Sequence, residues 1–260
     1  MTKRLNEKIA IITGAGSGVG RATTLRFLQE GAKVVCADIQ QDWLEHTLEL
    51  ASVEADSISA TTCDVSLESD LEKLVEHCVD RFGRLDVMHN NAGITGMKPG
   101  ATTEDFTDAE WQKLLQVNVS SVFYGSKYAI RQFKKQGNGG VILNTGSIAG
   151  MVGFGSVLYG ATKGAVNQMT KGLAVECAGN NIRVNAICPA AMPLTNFSAT
   201  EDKKFAPVDQ GFIDIVATIH PLGRIITAED CAEAAVFLSS DDAKNITGVL
   251  LPIDGGYVAK

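Results

Sequence analysis

An open, doubly wound parallel α/β sheet in a single domain is the fold class this sequence predicts, and three observations predict it. Short runs rich in β-branched residues recur along the chain, segments with helical spacing alternate with them, and 260 residues suit one domain. Strands are expected at 8–13 (KIAIIT), 33–37 (KVVCA), 57–62 (SISATT), 85–89 (LDVMH), 141–145 (VILNT), 182–187 (IRVNAI) and 249–253 (VLLPI). Most are apolar throughout, the pattern of strands covered on both faces.

Helices are expected between them, over 18–30, 40–53, 67–82, 108–136, 159–178 and 228–239. Local signals set their ends. Gly31 stops the first, Thr107 or Asp108 caps the one carrying Trp111 and Leu114, and Thr227 starts the last, with Glu229 and Asp230 in its first turn. The one long irregular stretch lies between Pro189 and Gly223, where Phe197, Phe205 and Phe212 are interleaved with charges. A loop of that length in a compact domain is usually functional, so residues 190–223 are read as a substrate lid, with a variable insertion as the alternative.

Composition excludes several functions. Apolar residues at 45% and charged residues at 20% support a sizeable core rather than disorder. Thirty acidic against 23 basic residues give a net charge of -7, and no Lys/Arg run is present to neutralise phosphates, so nucleic acid is not expected as a partner. Residues 1–8 contain no apolar signal segment, which leads to the expectation of a cytoplasmic protein. The six cysteines form no CxxC and no His stands at zinc-ligand spacing, so they are read as reduced, small apolar residues and no metal is expected. Residues 139–162 are uncharged over more than the roughly 18 residues of a membrane helix. Seven glycines, Asn144, Thr145, Ser147, Ser156 and Tyr159 interrupt that stretch, so it reads as strand, loop and helix start, with no membrane partner.

The first expected strand runs directly into Thr13-Gly14-Ala15-Gly16-Ser17-Gly18-Val19-Gly20, which opens the first helix. In that context the glycines allow a tight turn and let backbone N–H groups at a helix N-terminus approach a pyrophosphate, the Rossmann-type arrangement. Asp38 ends the second strand, close to the expected distance of about 20 residues beyond the loop. A carboxylate there accepts from adenosine ribose hydroxyls and repels a 2′-phosphate. With Ser17 in the loop and Ile39 after the strand, neither position supplies a cation for that phosphate, so NAD is the expected cofactor.

Tyr159 and Lys163 lie four residues apart, one helical turn on the same face. A phenol titrates near pH ~10, and lowering it to neutrality takes about 4 kcal/mol, which a fixed cation and an oxidised nicotinamide in a dry site supply. The pair gains specificity from Gly146-Ser147-Ile148-Ala149-Gly150 upstream, from Asn90-Asn91-Ala92-Gly93 after the fourth strand, and from Asn118 in VNV. With these motifs in order, the chain resembles the short-chain dehydrogenase/reductase superfamily, in its branch of single-domain enzymes. The likeness runs from the glycine loop through Asp64-Val65 and the catalytic motifs to Ile246-Thr247-Gly248 and Asp254-Gly255-Gly256.

The resemblance implies roles for matched residues. Tyr159 would exchange the proton with the substrate oxygen as hydride moves, Ser147 would hold that oxygen, and Lys163 would lower the tyrosine pKa and bind the nicotinamide ribose. Asn118, at an irregularity in its helix, would hold a water connecting Lys163 to solvent. Asp64 and Val65 would border the adenine, and Asn91, Ala92 and Gly93 would line the cofactor cleft. The family's sheet has seven strands ordered 3-2-1-4-5-6-7, and its members often assemble as homotetramers. Two departures follow the sixth strand: Ala190 replaces a glycine after Pro189, and Thr195 stands one place late, with the carboxamide contact left to the backbone of Met192.

Thr95, Ala149, Met151, Phe154, Ala191 and Phe197 are expected in the substrate pocket, with Gly96, Met97 and Met192 beside them. Their apolar character suits a hydrophobic, alicyclic, steroid-like or sugar-derived secondary alcohol or ketone. A 3-oxoacyl thioester reductase is the alternative, opposed by Asp38 and by the absence of Arg at Ser17. A non-catalytic dinucleotide-binding regulatory protein is the second, opposed by the intact Ser147, Tyr159 and Lys163. His89, in a buried strand, is read as a satisfied core histidine rather than a base, and His220 is assigned no chemistry.

Overall fold

Strands β1 (Ile9–Thr13), β2 (Lys33–Asp38), β3 (Ile58–Thr62), β4 (Val87–Asn90), β5 (Gly140–Thr145), β6 (Ile182–Pro189) and β7 (Leu250–Ile253) form one sheet ordered 3-2-1-4-5-6-7. Every pairing is parallel, in keeping with the apolar runs of most strands. The computed structural model describes residues 3–51, 55–98, 100–198 and 207–260. The fold class and strand order match the expectation, with β3 and β7 half-buried at the sheet edges.

Helices α1 (Gly18–Gln29), α2 (Gln41–Leu50) and α8 (Ala228–Ser239) cover one face, where Phe27, Leu44 and Val236 join Ile12, Val34 and Leu143 in a core cluster. Helices α3 (Glu68–Phe82), α5 (Ser121–Gln136) and α6 (Val157–Cys177) cover the other, where Leu71, Phe133 and Ala174 meet Ile11, Met88 and Ile142. The caps fall where expected. Gly31 adopts φ 87° just past α1, Thr107 forms a reciprocal capping box with Glu110 at α4 (Asp108–Leu115), and Thr227 does the same with Asp230 at α8.

Residues 190–223 are not irregular throughout: they contain α7 (Gln210–Ile219), capped by Asp209 accepting from Phe212 N at 3.0 Å. Ile213, Val216 and Ile219 turn inward while Phe212 and Ile215 are exposed, so apolar residues stand on both faces of α7. Phe205 lies outside the described residues. The segment expected as one helix over 108–136 is α4 and α5 joined by a π turn, Gln116–Ser120.

Register places the carboxyl ends of β1, β2, β4 and β5 along one edge: Ile12 pairs with His89, Asp38 with Thr62, and Asn90 with Asn144. The chain reverses its winding between β1 and β4, where an open sheet of this kind leaves a crevice.

Candidate active site

At that crevice β1 ends in Thr13 and the glycine loop follows. Gly14 (φ 66°) and Gly18 (φ 49°) occupy left-handed backbone, and a Cβ on Gly14 would come within 2.9 Å of Ala92 Cα. A Cβ on Gly20 would overlap the Gly14 carbonyl. Ser17 caps α1 with no side-chain bond among the described residues, and the first turn, with Val19 and Gly20 buried, holds no acidic side chain. The N–H groups of this first turn therefore face no acidic side chain of their own helix. Thr195 stands over it: a Cβ on Gly18 would lie 3.5 Å from Thr195 Cβ.

Asp38 is buried at the end of β2. Its Oδ2 accepts from Gly16 N at 2.9 Å and its Oδ1 from Gln40 N at 3.0 Å, leaving lone pairs for further donors. Arg21, under the attraction of Asp38, donates to the Gly16 carbonyl and, at 3.1 Å, to Thr47 Oγ1. Asp64 accepts from Ser66 N and Oγ at 2.9 and 2.7 Å, so its carboxylate holds its own turn, with Val65 buried beside it. Asn91 Nδ2 donates to Thr13 O at 2.9 Å, and Thr13 Oγ1 accepts from Asn91 N and Ala92 N at 3.0 and 3.1 Å. Gly93 faces Asn118 and Lys163: a Cβ there would lie 3.3 Å from Asn118 Oδ1 and 3.6 Å from Lys163 Nζ.

Ser156 caps α6 by accepting from Tyr159 N at 3.3 Å, which sets Tyr159 in the first turn and Lys163 in the next. Ser147 follows β5; its Oγ donates to Pro189 O at 3.3 Å and accepts from Ala149 N at 3.1 Å. Desolvation raises the Tyr159 phenol above its ordinary range, and a hydrogen bond with Ser147 acts in the opposite direction. Lys163 is buried, which lowers it to about 8, and its Nζ donates to Thr145 O at 2.7 Å while standing 5.7 Å from the Tyr159 ring centroid. The expected lowering of the tyrosine is thus not present in the chain alone. The cation is bonded to a carbonyl instead of the phenol, and desolvation prevails. Cys188 nearby is pushed up to about 12 by burial and stays neutral.

Asn118 sits in the π turn, as the resemblance implied. Its Oδ1 accepts from Ile94 N and its Nδ2 donates to Ile94 O, both at 2.8 Å, with a further bond to Thr162 Oγ1 at 3.1 Å. The side chain is therefore engaged in holding the segment after Gly93. Beyond Pro189, Ala190 makes no demand for positive φ, since its φ is negative, and its N donates to Ile253 O at 3.1 Å. Thr195 Oγ1 donates to Met192 O at 3.0 Å, a tight turn in which the late threonine still reaches the glycine loop.

Among the pocket residues, Phe197 lies edge-on to Tyr159 with ring centroids 5.9 Å apart. Phe154 packs edge-on to Tyr257 at 5.2 Å. Ala149 is buried, Ala191 half-buried and Met151 exposed, while Thr95 turns into its own loop, accepting from Met97 N at 3.2 Å. Sequence reading missed Tyr257, Thr13, Thr145 and Thr162. The three threonines gave a faint signal, a hydroxyl at the end of an apolar strand or beside the tyrosine. His220 is buried with Nδ1 2.8 Å from Asp254 O.

A glycine loop at a helix N-terminus and a Ser, Tyr and Lys group share one sheet edge, the arrangement of a Rossmann-type oxidoreductase. A family model described as enoyl-(acyl carrier protein) reductase matches residues 14–258. The 3β-hydroxysteroid dehydrogenase 2 of Eggerthella lenta is 37% identical over 96% of this chain and 94% of its own length. Cyclohexanol dehydrogenase of an Acinetobacter species is 33% identical, covering 100% and 98%. The crystal structure of 3-ketoacyl-(acyl-carrier-protein) reductase from Brucella melitensis complexed with NADH superposes with a TM-score of 0.86, at 38% identity and coverage of 97% and 99%. The chain belongs to the short-chain dehydrogenase/reductase superfamily.

Proposed function

We propose that this protein is an NAD-dependent dehydrogenase or reductase acting on a hydrophobic secondary alcohol or ketone, alicyclic, steroid-like or sugar-derived. The observation that carries the reading is the meeting of Ser147, Tyr159 and Lys163 at the edge where the glycine loop opens. The loop fits a dinucleotide: side chains are excluded at Gly14 and Gly20, and the α1 N-terminus faces Thr195. Gly14, Ser17, Gly18, Val19 and Gly20 would hold the pyrophosphate, Asp38 the adenosine ribose, Asp64 and Val65 the adenine, and Asn91, Ala92, Gly93, Pro189, Met192 and Thr195 the nicotinamide side. When bound, that cofactor supplies a two-electron hydride acceptor and, oxidised, a positive charge.

This chain's residues do the rest. Ser147 Oγ turns from Pro189 O to the substrate oxygen, and Tyr159 takes the proton from that oxygen as the carbonyl forms, or returns it in reduction. Lys163, released from Thr145 O, supplies the cation that offsets desolvation of the phenolate. Asn118 keeps Ile94 in place, and its π turn is the site proposed for the connecting water.

Steroid-like or alicyclic substrates are supported by the apolar Met151, Phe154 and Phe197 and by the two relatives named for a hydroxysteroid and for cyclohexanol. A 3-oxoacyl thioester is the second reading, favoured by the name of the structural neighbour and opposed by Asp38. Association of subunits into a tetramer is part of the proposal, supported by exposed Phe123, Val157 and Val175 on α5 and α6, and light scattering checks it. An NAD(H)-coupled absorbance screen across secondary alcohols, steroids, sugars and thioesters tests the activity, with Tyr159→Phe as control. Turnover should fall by about 10² to 10⁴ in the variant while NADH binding persists. Equal turnover removes Tyr159 from the mechanism.

A further inference from the structure

His89 is wholly buried in β4, one residue before Asn90-Asn91-Ala92-Gly93. Its Nε2 lies 3.0 Å from Thr145 Oγ1, and its Nδ1 has no hydrogen-bond partner among the described residues, so the expected satisfied core histidine is only half satisfied. Burial of an imidazole with one nitrogen unpaired is costly compared with an aliphatic side chain of similar size. A residue kept under that cost calls for a use.

The hydrogen-bond directions can be deduced. Asn91 Nδ2 meets a carbonyl, Thr13 O, at 2.9 Å, so the amide NH2 is on that side and Oδ1 faces Thr145 Oγ1 at 3.0 Å. A hydroxyl has one proton to give, and Oδ1 has none, so the Thr145 proton goes to Asn91. Thr145 Oγ1 must then accept from His89, which places the imidazole proton on Nε2. Burial holds the imidazole at about 3, so this donor stays neutral through the working pH range. Donation therefore runs one way, from His89 to Thr145 to Asn91 to Thr13.

Two parts of the site hang on this line. The Asn91 amide lies against the glycine loop: a Cβ on Gly20 would come within 2.7 Å of Nδ2, and one on Gly14 within 3.1 Å. The main-chain carbonyl of Thr145 receives Lys163 Nζ. We propose that His89 is a positioning residue, a fixed Nε2–H donor that sets the Thr145 hydroxyl and thereby locks the Asn91 amide in the orientation that seats the dinucleotide loop. This rests on the dinucleotide reading above.

The test compares wild type with His89→Leu, His89→Gln and Thr145→Val by NADH affinity, melting temperature and ¹⁵N NMR of the imidazole. The unliganded wild type should show the neutral Nε2–H tautomer with no titration between about pH 5 and 9. His89→Leu should weaken NADH binding about tenfold, Thr145→Val by the same factor, and the double variant no further, as expected for links in series. His89→Gln, which offers an amide N–H, should recover affinity to within about threefold. An Nδ1–H tautomer overturns the proposal. So does a leucine variant that loses melting temperature and still binds NADH like wild type. A wild type without NADH affinity refutes the dinucleotide reading instead, and the tautomer together with the Asn91 amide resonances, read without ligand, then decides the relay.

Discussion

Replacing Asp38 by Asn isolates the charge that should select NAD. The carboxylate is buried at the end of β2 and accepts from Gly16 N and Gln40 N, so it is held in place and poorly screened by salt. With an effective dielectric near 20, a unit negative charge about 5 Å away is repelled by about 3 kcal/mol, and a 2′-phosphate carries at least one. Each 1.4 kcal/mol, roughly, is a factor of ten, so the repulsion alone amounts to about a hundredfold. Asn keeps an acceptor for one backbone N–H and loses the charge-assisted bonds to the ribose hydroxyls, about 1.5 to 3 kcal/mol. Arg21, anchored on the Gly16 carbonyl, then dominates the local field. Steady-state kcat/KM with NAD and NADP should show the NAD/NADP ratio falling by at least about a hundredfold in Asp38→Asn. A ratio that moves less than about threefold, or a wild type that prefers NADP, refutes the reasoning.

Two further outcomes are expected. Burial pushes the thiols of Cys36, Cys63, Cys78 and Cys188 from 9.0 to about 12, so below about pH 9 they are neutral in both folded and unfolded chains. Between those values the unfolded chain binds fewer protons, and stability is lost as pH climbs; urea midpoints should fall from about pH 9 upward, less steeply in Cys36→Ala, and a flat profile to about pH 11 contradicts this. Asn118→Ala strands both backbone polar groups of Ile94 and should cost about 2 to 4 kcal/mol in urea unfolding; a loss under about 0.5 kcal/mol means that the segment is held elsewhere.

The sheet was legible because buried parallel strands read as apolar runs, and the glycine loop and YxxxK pair because their chemistry fixes residue type and spacing. What escaped the sequence depends on groups distant along the chain. Thr145 matters through His89 and Asn91, each more than fifty residues away, and no periodicity links them. Tyr257 meets Phe154 only because β7 returns the chain beside β6. Helix α7 escaped for a different reason: Phe212 and Ile215 are exposed beside the inward Ile213, Val216 and Ile219, so its apolar residues are not confined to one face. In the chain without its cofactor, desolvation raises the Tyr159 phenol, and Lys163 Nζ bonds Thr145 O, a contact that the four-residue spacing does not reveal.

The π turn between α4 and α5 has a consequence for how this region tolerates change. A π turn inserts one residue into an otherwise α-helical course, and one residue is about 100° of rotation. Deleting a single position between Gln116 and Ser120 would leave a longer, unbroken helix that costs little by itself and keeps α5 in phase, yet Asn118 would swing away from Ile94. Homologues with a one-residue gap at this place would thus be marked as having abandoned the site, even where Ser147, Tyr159 and Lys163 are all retained.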